Sequence, residues 1–151
     1  MNENLNNPDR EKLNAWIKTQ RDAAVWKLIK QGNIESLMVE AKPAWVFPFQ
    51  ILIGKIRAQG KSQQFEWFIC GEVPTDFLGS SAAATPRDAA RHFAMKWQLQ
   101  ATRHQDAADQ ESTEPGSKSS QDDPGNQLAD KAGGLYELVD DERLWQQKGS
   151  F

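Results

Sequence analysis

Between Phe65 and Trp97 the chain changes direction at residues that leave the backbone little choice. The run Phe65-Glu-Trp-Phe-Ile-Cys-Gly71 alternates like a strand. Phe65, Trp67 and Ile69 fall on one face, with Phe68 and Cys70 on the other. Gly71 and Pro74 then break the extended run, and Thr75-Asp76-Phe77 follows as a loop. Thr85-Pro-Arg-Asp88 opens a helix. Thr85 is the N-cap, Pro86 takes the first helical position, and Asp88 stands three after the cap, as in a capping box. Ala90, Phe93, Ala94 and Trp97 repeat at helical spacing, and the helix is expected to run to about His104.

The same punctuation organises the rest. Asn7 and Pro8 start a first helix that Gly32 stops. Asp9 and Glu11 suit its positive end, and Lys27 and Lys30 its negative end. Leu13, Trp16, Ile17, Ala24, Leu28 and Ile29 form its apolar stripe, with Trp26 at the margin. Ile34 to Ala41 reads equally as a short strand or an irregular lead-in. Pro43 and Pro48 bracket Ala44-Trp-Val-Phe47, which excludes a helix interior. Phe49 to Arg57 reads as a strand apolar on both faces at its centre, hence covered on both. Ala58-Gln-Gly-Lys-Ser62 is a turn, and Gln64 to Gly71 pairs back as a hairpin. From Gln105 to Asn126 almost nothing is apolar, so 105–126 is expected to be a disordered polar linker. A C-terminal helix over 127–147 follows, with Leu128, Ala132, Leu135 and Val139 on one face. Asp140 breaks it, and Leu144 and Trp145 form a last turn. Gly133-Gly134 weakens it by about 1 kcal/mol per glycine relative to alanine.

These elements predict one α+β domain over 8–104, with the C-terminal helix docked on it. A small antiparallel sheet of two to four strands carries the N-terminal, central and C-terminal helices on one face. Charge divides along the chain. Residues 1–104 carry 14 Lys+Arg and 10 Asp+Glu, whereas residues 105–151 carry 4 and 11. This argues against nucleic-acid binding, which needs clustered cations. The single Cys70 excludes an internal disulfide and any multi-cysteine metal site. No apolar run approaches a membrane span, and Met1 to Arg10 has no apolar core of a signal peptide, so a cytoplasmic location is expected. No cofactor fingerprint is present, and no cofactor or metal is expected.

The ordered set of motifs resembles a family of small bacterial proteins described as a domain of unknown function (DUF4826). The resemblance rests on Pro43-Ala-Trp45 with Pro48, on Trp67-Phe-Ile-Cys-Gly-Glu-Val-Pro-Thr-Asp-Phe77, and on Pro86-Arg-Asp-Ala89 with Trp97. It covers about residues 13–97, with an echo at Leu128–Trp145. A His often precedes the Pro-Arg pair in that family, and Thr85 stands there in this chain. The resemblance implies a compact α+β domain and carries no reaction with it.

Candidate functional residues are few. Asp76 suits a turn that accepts backbone N–H groups, or a bidentate pair with Arg87 that ties the loop to the helix start. The competing reading makes Thr75, Thr85 and Arg87 an anion site at a helix N-terminus. Cys70, Asp88 and His92 are the ingredients of a nucleophile and base, but a Cys inside a Trp-Phe-Ile strand is ordinarily inert core. His92 and His104 are too far apart on one helix to share a metal. Trp45 reads first as core and second as an aromatic anchor on the rim of a groove. The function expected is a non-enzymatic binding or accessory module using Trp45, Thr75, Asp76, Thr85 and Arg87. Its partner would be a protein or a small anionic ligand, and a homodimer through a strand edge is a further expectation. The alternatives are a small enzyme acting on an anionic metabolite, with Asp76 as base and Arg87 as clamp, and a toxin-neutralising immunity protein with an acidic face.

Overall fold

The computed structural model describes residues 8–32, 39–58, 64–111 and 124–146. In chain order these form α1 (Pro8–Lys30), β1 (Val39–Phe47), β2 (Ile51–Ala58), β3 (Glu66–Gly71), β4 (Asp76–Leu78), α2 (Pro86–Glu111) and α3 (Pro124–Asp140). Short 3-10 turns occupy Ser80–Ala82 and Glu142–Trp145. The strands make one antiparallel sheet in the order β1-β2-β3-β4. This is the expected α+β class. β4 was not expected: Asp76–Leu78 reads as loop in the sequence but pairs with Trp67–Ile69. The turn at Gly60 and residues 112–123 of the expected linker lie outside the described residues, while α2 and α3 continue into its two ends at Glu111 and Pro124.

Helix boundaries follow local chemistry. Gly32 ends α1 at φ +80, in the left-handed region that glycine adopts without strain. Thr85 Oγ1 accepts the Asp88 N–H at 3.1 Å and caps α2. The capping box is half made, because the Asp88 carboxylate turns to Arg91 at 2.9 Å. α3 stops at Asp140, and Asp141 caps the following turn through the Arg143 N–H.

The expected placement of all three helices on one face is corrected. α2 and α3 cover one face of the sheet, and α1 covers the other. Trp45, Ile51, Ile53, Trp67 and Ile69 pack against Ala90, Phe93, Ala94 and Trp97 of α2 and Ala132, Leu135 and Val139 of α3. Val46, Leu52, Ile56, Phe68 and Cys70 pack against Ile17, Ala24 and Leu28 of α1. The physical reason is the two-faced apolarity of β2 and β3. One uncovered face would leave several large side chains in water, at a cost of about 1.5–3 kcal/mol each.

β1 is an edge strand containing Pro43, tolerated because the pairing shifts by a bulge between Pro43 and Trp45. The β1–β2 connection is a tight turn in which the Gln50 N–H reaches the Phe47 carbonyl at 2.9 Å. Phe49 sits at φ +62, where such turns ordinarily carry glycine. A non-glycine residue there stores about 1–3 kcal/mol. Its ring meets Trp16 of α1 at 5.9 Å between centroids, which ties the turn to that helix.

Candidate functional site

Asp76 is the most heavily used carboxylate of the site residues read from the sequence. Oδ1 accepts the Phe77 N–H at 2.8 Å and the Lys96 ammonium at 2.6 Å. Oδ2 accepts the Trp97 indole N–H at 3.0 Å. The Lys96 ammonium also reaches the Phe77 carbonyl at 3.4 Å. Asp76 therefore satisfies the backbone of β4, an edge strand, and fixes α2 to it. The pairing of Asp76 with Arg87 does not occur. Arg87 Nε instead donates to the Val139 carbonyl at 2.8 Å, satisfying a carbonyl in the last turn of α3.

The remaining sequence candidates are placed as follows. Thr85 is exposed and spends its hydroxyl on the α2 cap. Thr75 is half-buried just before β4. Trp45 is 2% exposed, so its reading as a surface anchor is corrected. Its indole N–H donates to the Leu144 carbonyl at 2.7 Å, and its ring stacks on Trp145 at 4.0 Å. Trp145 in turn donates to the Leu138 carbonyl at 2.8 Å. A buried indole is stable only with its N–H paired. Here the Trp45 indole pins the turn after α3, and the Trp145 indole ties that turn back to the last turn of the helix.

A concavity lies elsewhere among the described residues, between α3, the β1–β2 turn and the segment after β3. It is a cleft of about 490 Å³. Phe47, Ile51, Val73, Leu135 and Leu138 give it an apolar floor. Gln50, Glu72, Gln127, Asp130 and Lys131 form the polar rim. Gly134 completes one wall, and a Cβ added there would meet nothing within 4 Å. Lys131 bridges the two sides, its ammonium on the Glu72 carbonyl at 2.7 Å. Gly71 stands just before Glu72 and Val73 of the opposite wall. It holds φ +115, and the chain there comes so close that the Glu72 N–H bonds the Gln50 carbonyl at 2.7 Å.

Sequence reasoning passed over this cleft because three distant segments form it. The signals present were Gly71-Glu72 and the exposed Gly133-Gly134 inside a helix, read there only as a weakness. Filling that space is expected to help the helix: Gly134→Ala should raise stability by about 0.5–1 kcal/mol, measurable as an increased urea midpoint. An unchanged or lower midpoint would show that the glycine serves the folded packing.

Cys70 is core, 2% exposed, its thiol directed to the Gln20 carbonyl at 3.6 Å. Burial pushes the thiol up to about 12. The native thiol therefore stays protonated through the ordinary thiol range, and folding stability is unaffected below that range and falls as pH rises from it toward about 12. Iodoacetamide at pH 8 is expected to leave native Cys70 unmodified and to label it in urea. Rapid labelling of the native protein would contradict the buried placement.

Another cleft, of about 330 Å³, lies along α2, lined by Leu78, His92, Met95, Lys96, Leu99, Gln100 and Arg103. Among the described residues no helix is long and apolar enough to cross a membrane.

A four-stranded antiparallel sheet between one helix and a helix pair, with an apolar cleft beside the pair, defines a small α+β domain. The chain belongs to the family described as Domain of unknown function (DUF4826), which it matches over residues 10–145. The match extends through α3 and Trp145, beyond the segment that carries the sequence motifs. No curated protein and no solved structure matches the chain.

Proposed function

We propose that this chain is a non-enzymatic binding or accessory module that acts in the cytoplasm and holds a segment of a protein partner in the cleft beside α3. The carrying observation is the cleft itself: about 490 Å³ with an apolar floor and a polar rim. That size and lining are typical of sites that take an apolar group while polar groups fix its orientation. The arrangement of Asp76 and Arg87 supports the binding reading over the catalytic one. A general base needs a lone pair open to the substrate proton. Asp76 already holds donors at three of its about four acceptor positions, which leaves little of it for a substrate proton, and Arg87 is committed to α3.

The test is affinity capture with the wild type and with Gly134→Leu, which puts a bulky side chain on the cleft wall at a position where an added Cβ meets nothing. Loss of a specific partner, with circular dichroism and melting preserved, is the expected result. Equal capture by both proteins, or turnover of a metabolite by the purified chain, would overturn the proposal.

A further inference from the structure

The cleft has an electrostatic sign as well as a shape. Its charged rim residues are Glu72, Asp130 and Lys131. Glu72 and Asp130 are exposed. The Lys131 ammonium donates to the neutral Glu72 carbonyl and keeps its charge, so with Glu72 and Asp130 the rim carries one net negative charge. The acidic character continues along α3. Glu137 is exposed seven residues beyond Asp130, on the same helix face, and Asp140 is exposed at the helix end. Gly134 lies between these carboxylates and leaves the helix backbone open to close approach.

An occupant that matches this surface has apolar side chains on one side and cations on the other. We infer that the cleft takes a short basic amphipathic segment of another protein. Its apolar residues would lie on Phe47, Ile51, Leu135 and Leu138, and its Lys or Arg residues would face Glu72, Asp130 and Glu137. This rests on the binding reading above and adds the chemistry of the partner. The floor supplies most of the affinity, and the acidic rim selects the partner and speeds encounter, because exposed ion pairs hold little energy in water.

Short labelled peptides in which Leu and Phe alternate with Lys are the probe, beside the same peptides with Glu in place of Lys. The Lys peptides are expected to bind, with affinity falling several-fold from low to physiological salt. The Glu peptides are expected not to bind. Gly134→Leu should remove binding, and the double variant Glu72→Lys/Asp130→Lys should weaken it about tenfold or more. Amide shifts at Gly134 and Leu135 should accompany binding to the wild type.

Equal binding of Lys and Glu peptides would overturn the inference. So would Lys-peptide binding indifferent to Gly134→Leu, which would mark diffuse charge attraction. A self-association broken by Gly134→Leu would assign the cleft to a second copy and also overturn it. If no peptide binds while Gly134→Leu still abolishes capture of a partner, the basic segment is wrong and the cleft reading stands. If capture too is indifferent to Gly134→Leu, both fail.

Discussion

Gly71→Ala is expected to destabilise the domain by about 3–5 kcal/mol, among the larger effects a single substitution produces. Two independent causes converge. The residue holds φ +115, a conformation that side-chain-bearing residues adopt only under strain. A Cβ placed there would lie 2.3 Å from the Gln50 carbonyl oxygen and 3.0 Å from its carbon. Both atoms are backbone, so no side chain can swing aside. Relief requires the β1–β2 turn to retreat, which breaks the bond from the Glu72 N–H to Gln50 and opens one wall of the cleft. Urea unfolding should show a much lower midpoint with an unchanged slope, since the loss is in folded-state stability and not in surface exposed. The melting temperature should fall by roughly 10–15 °C for a chain of this size. A midpoint within experimental error of the wild type would mean that this close approach is not held in solution. Gly134→Ala is the matched control, because its added Cβ meets open space.

Much of this architecture is legible in the sequence because it is decided locally. Pro8 and Gly32 bound α1, Thr85 caps α2, and Asp140 ends α3, each through the chemistry of one or two residues. The alternation from Trp67 to Cys70 assigns each side chain to its observed face. Assignment of helices to faces is different. The apolar stripes of the three helices are chemically interchangeable, so nothing in α1 says that it belongs with Leu52 and Phe68 rather than with Ile53 and Ile69. The two-sided apolarity of Phe49–Arg57 did call for cover on both faces, and that was the stronger signal. β4 is invisible to periodicity, because three residues cannot show a period of two. Its existence depends on the edge of β3. The candidate site suffers from the same nonlocality. Trp45 finds its acceptor at Leu144, and Arg87 finds its own at Val139. Side chains of suitable chemistry lie nearer in sequence to each, and only the packing of α3 selects between them. The cleft is a property of the assembled surface, with Glu72 and Asp130 brought to one rim by the docking of α3.

Asp76→Ala is the second large effect, expected to cost about 2–4 kcal/mol. The loss is asymmetric among its three partners. Trp97 is fully buried, so its indole N–H would be left without an acceptor and without water. An orphaned buried donor incurs its whole desolvation cost. Lys96 is more than a third exposed and can turn to solvent, so its ion pair contributes less than the 2.6 Å separation suggests. Asp76→Asn keeps one acceptor oxygen but points an amide N–H₂ at a cluster of donors. It should fall between wild type and alanine. Double-mutant cycles separate the contributions. In a Trp97→Phe background, where the indole N–H is gone, the Asp76→Ala cost should shrink by about 1–2 kcal/mol. In a Lys96→Met background it should shrink by about 0.5–1 kcal/mol. With Arg87→Ala it should stay the same within about 0.5 kcal/mol, because Arg87 bonds Val139 and not Asp76. Coupling concentrated on Arg87 instead would restore the helix-start pairing and displace the edge-strand role assigned to Asp76. Retained binding of the Lys peptides by a folded Asp76→Asn would further separate this scaffold carboxylate from the acids of the cleft rim.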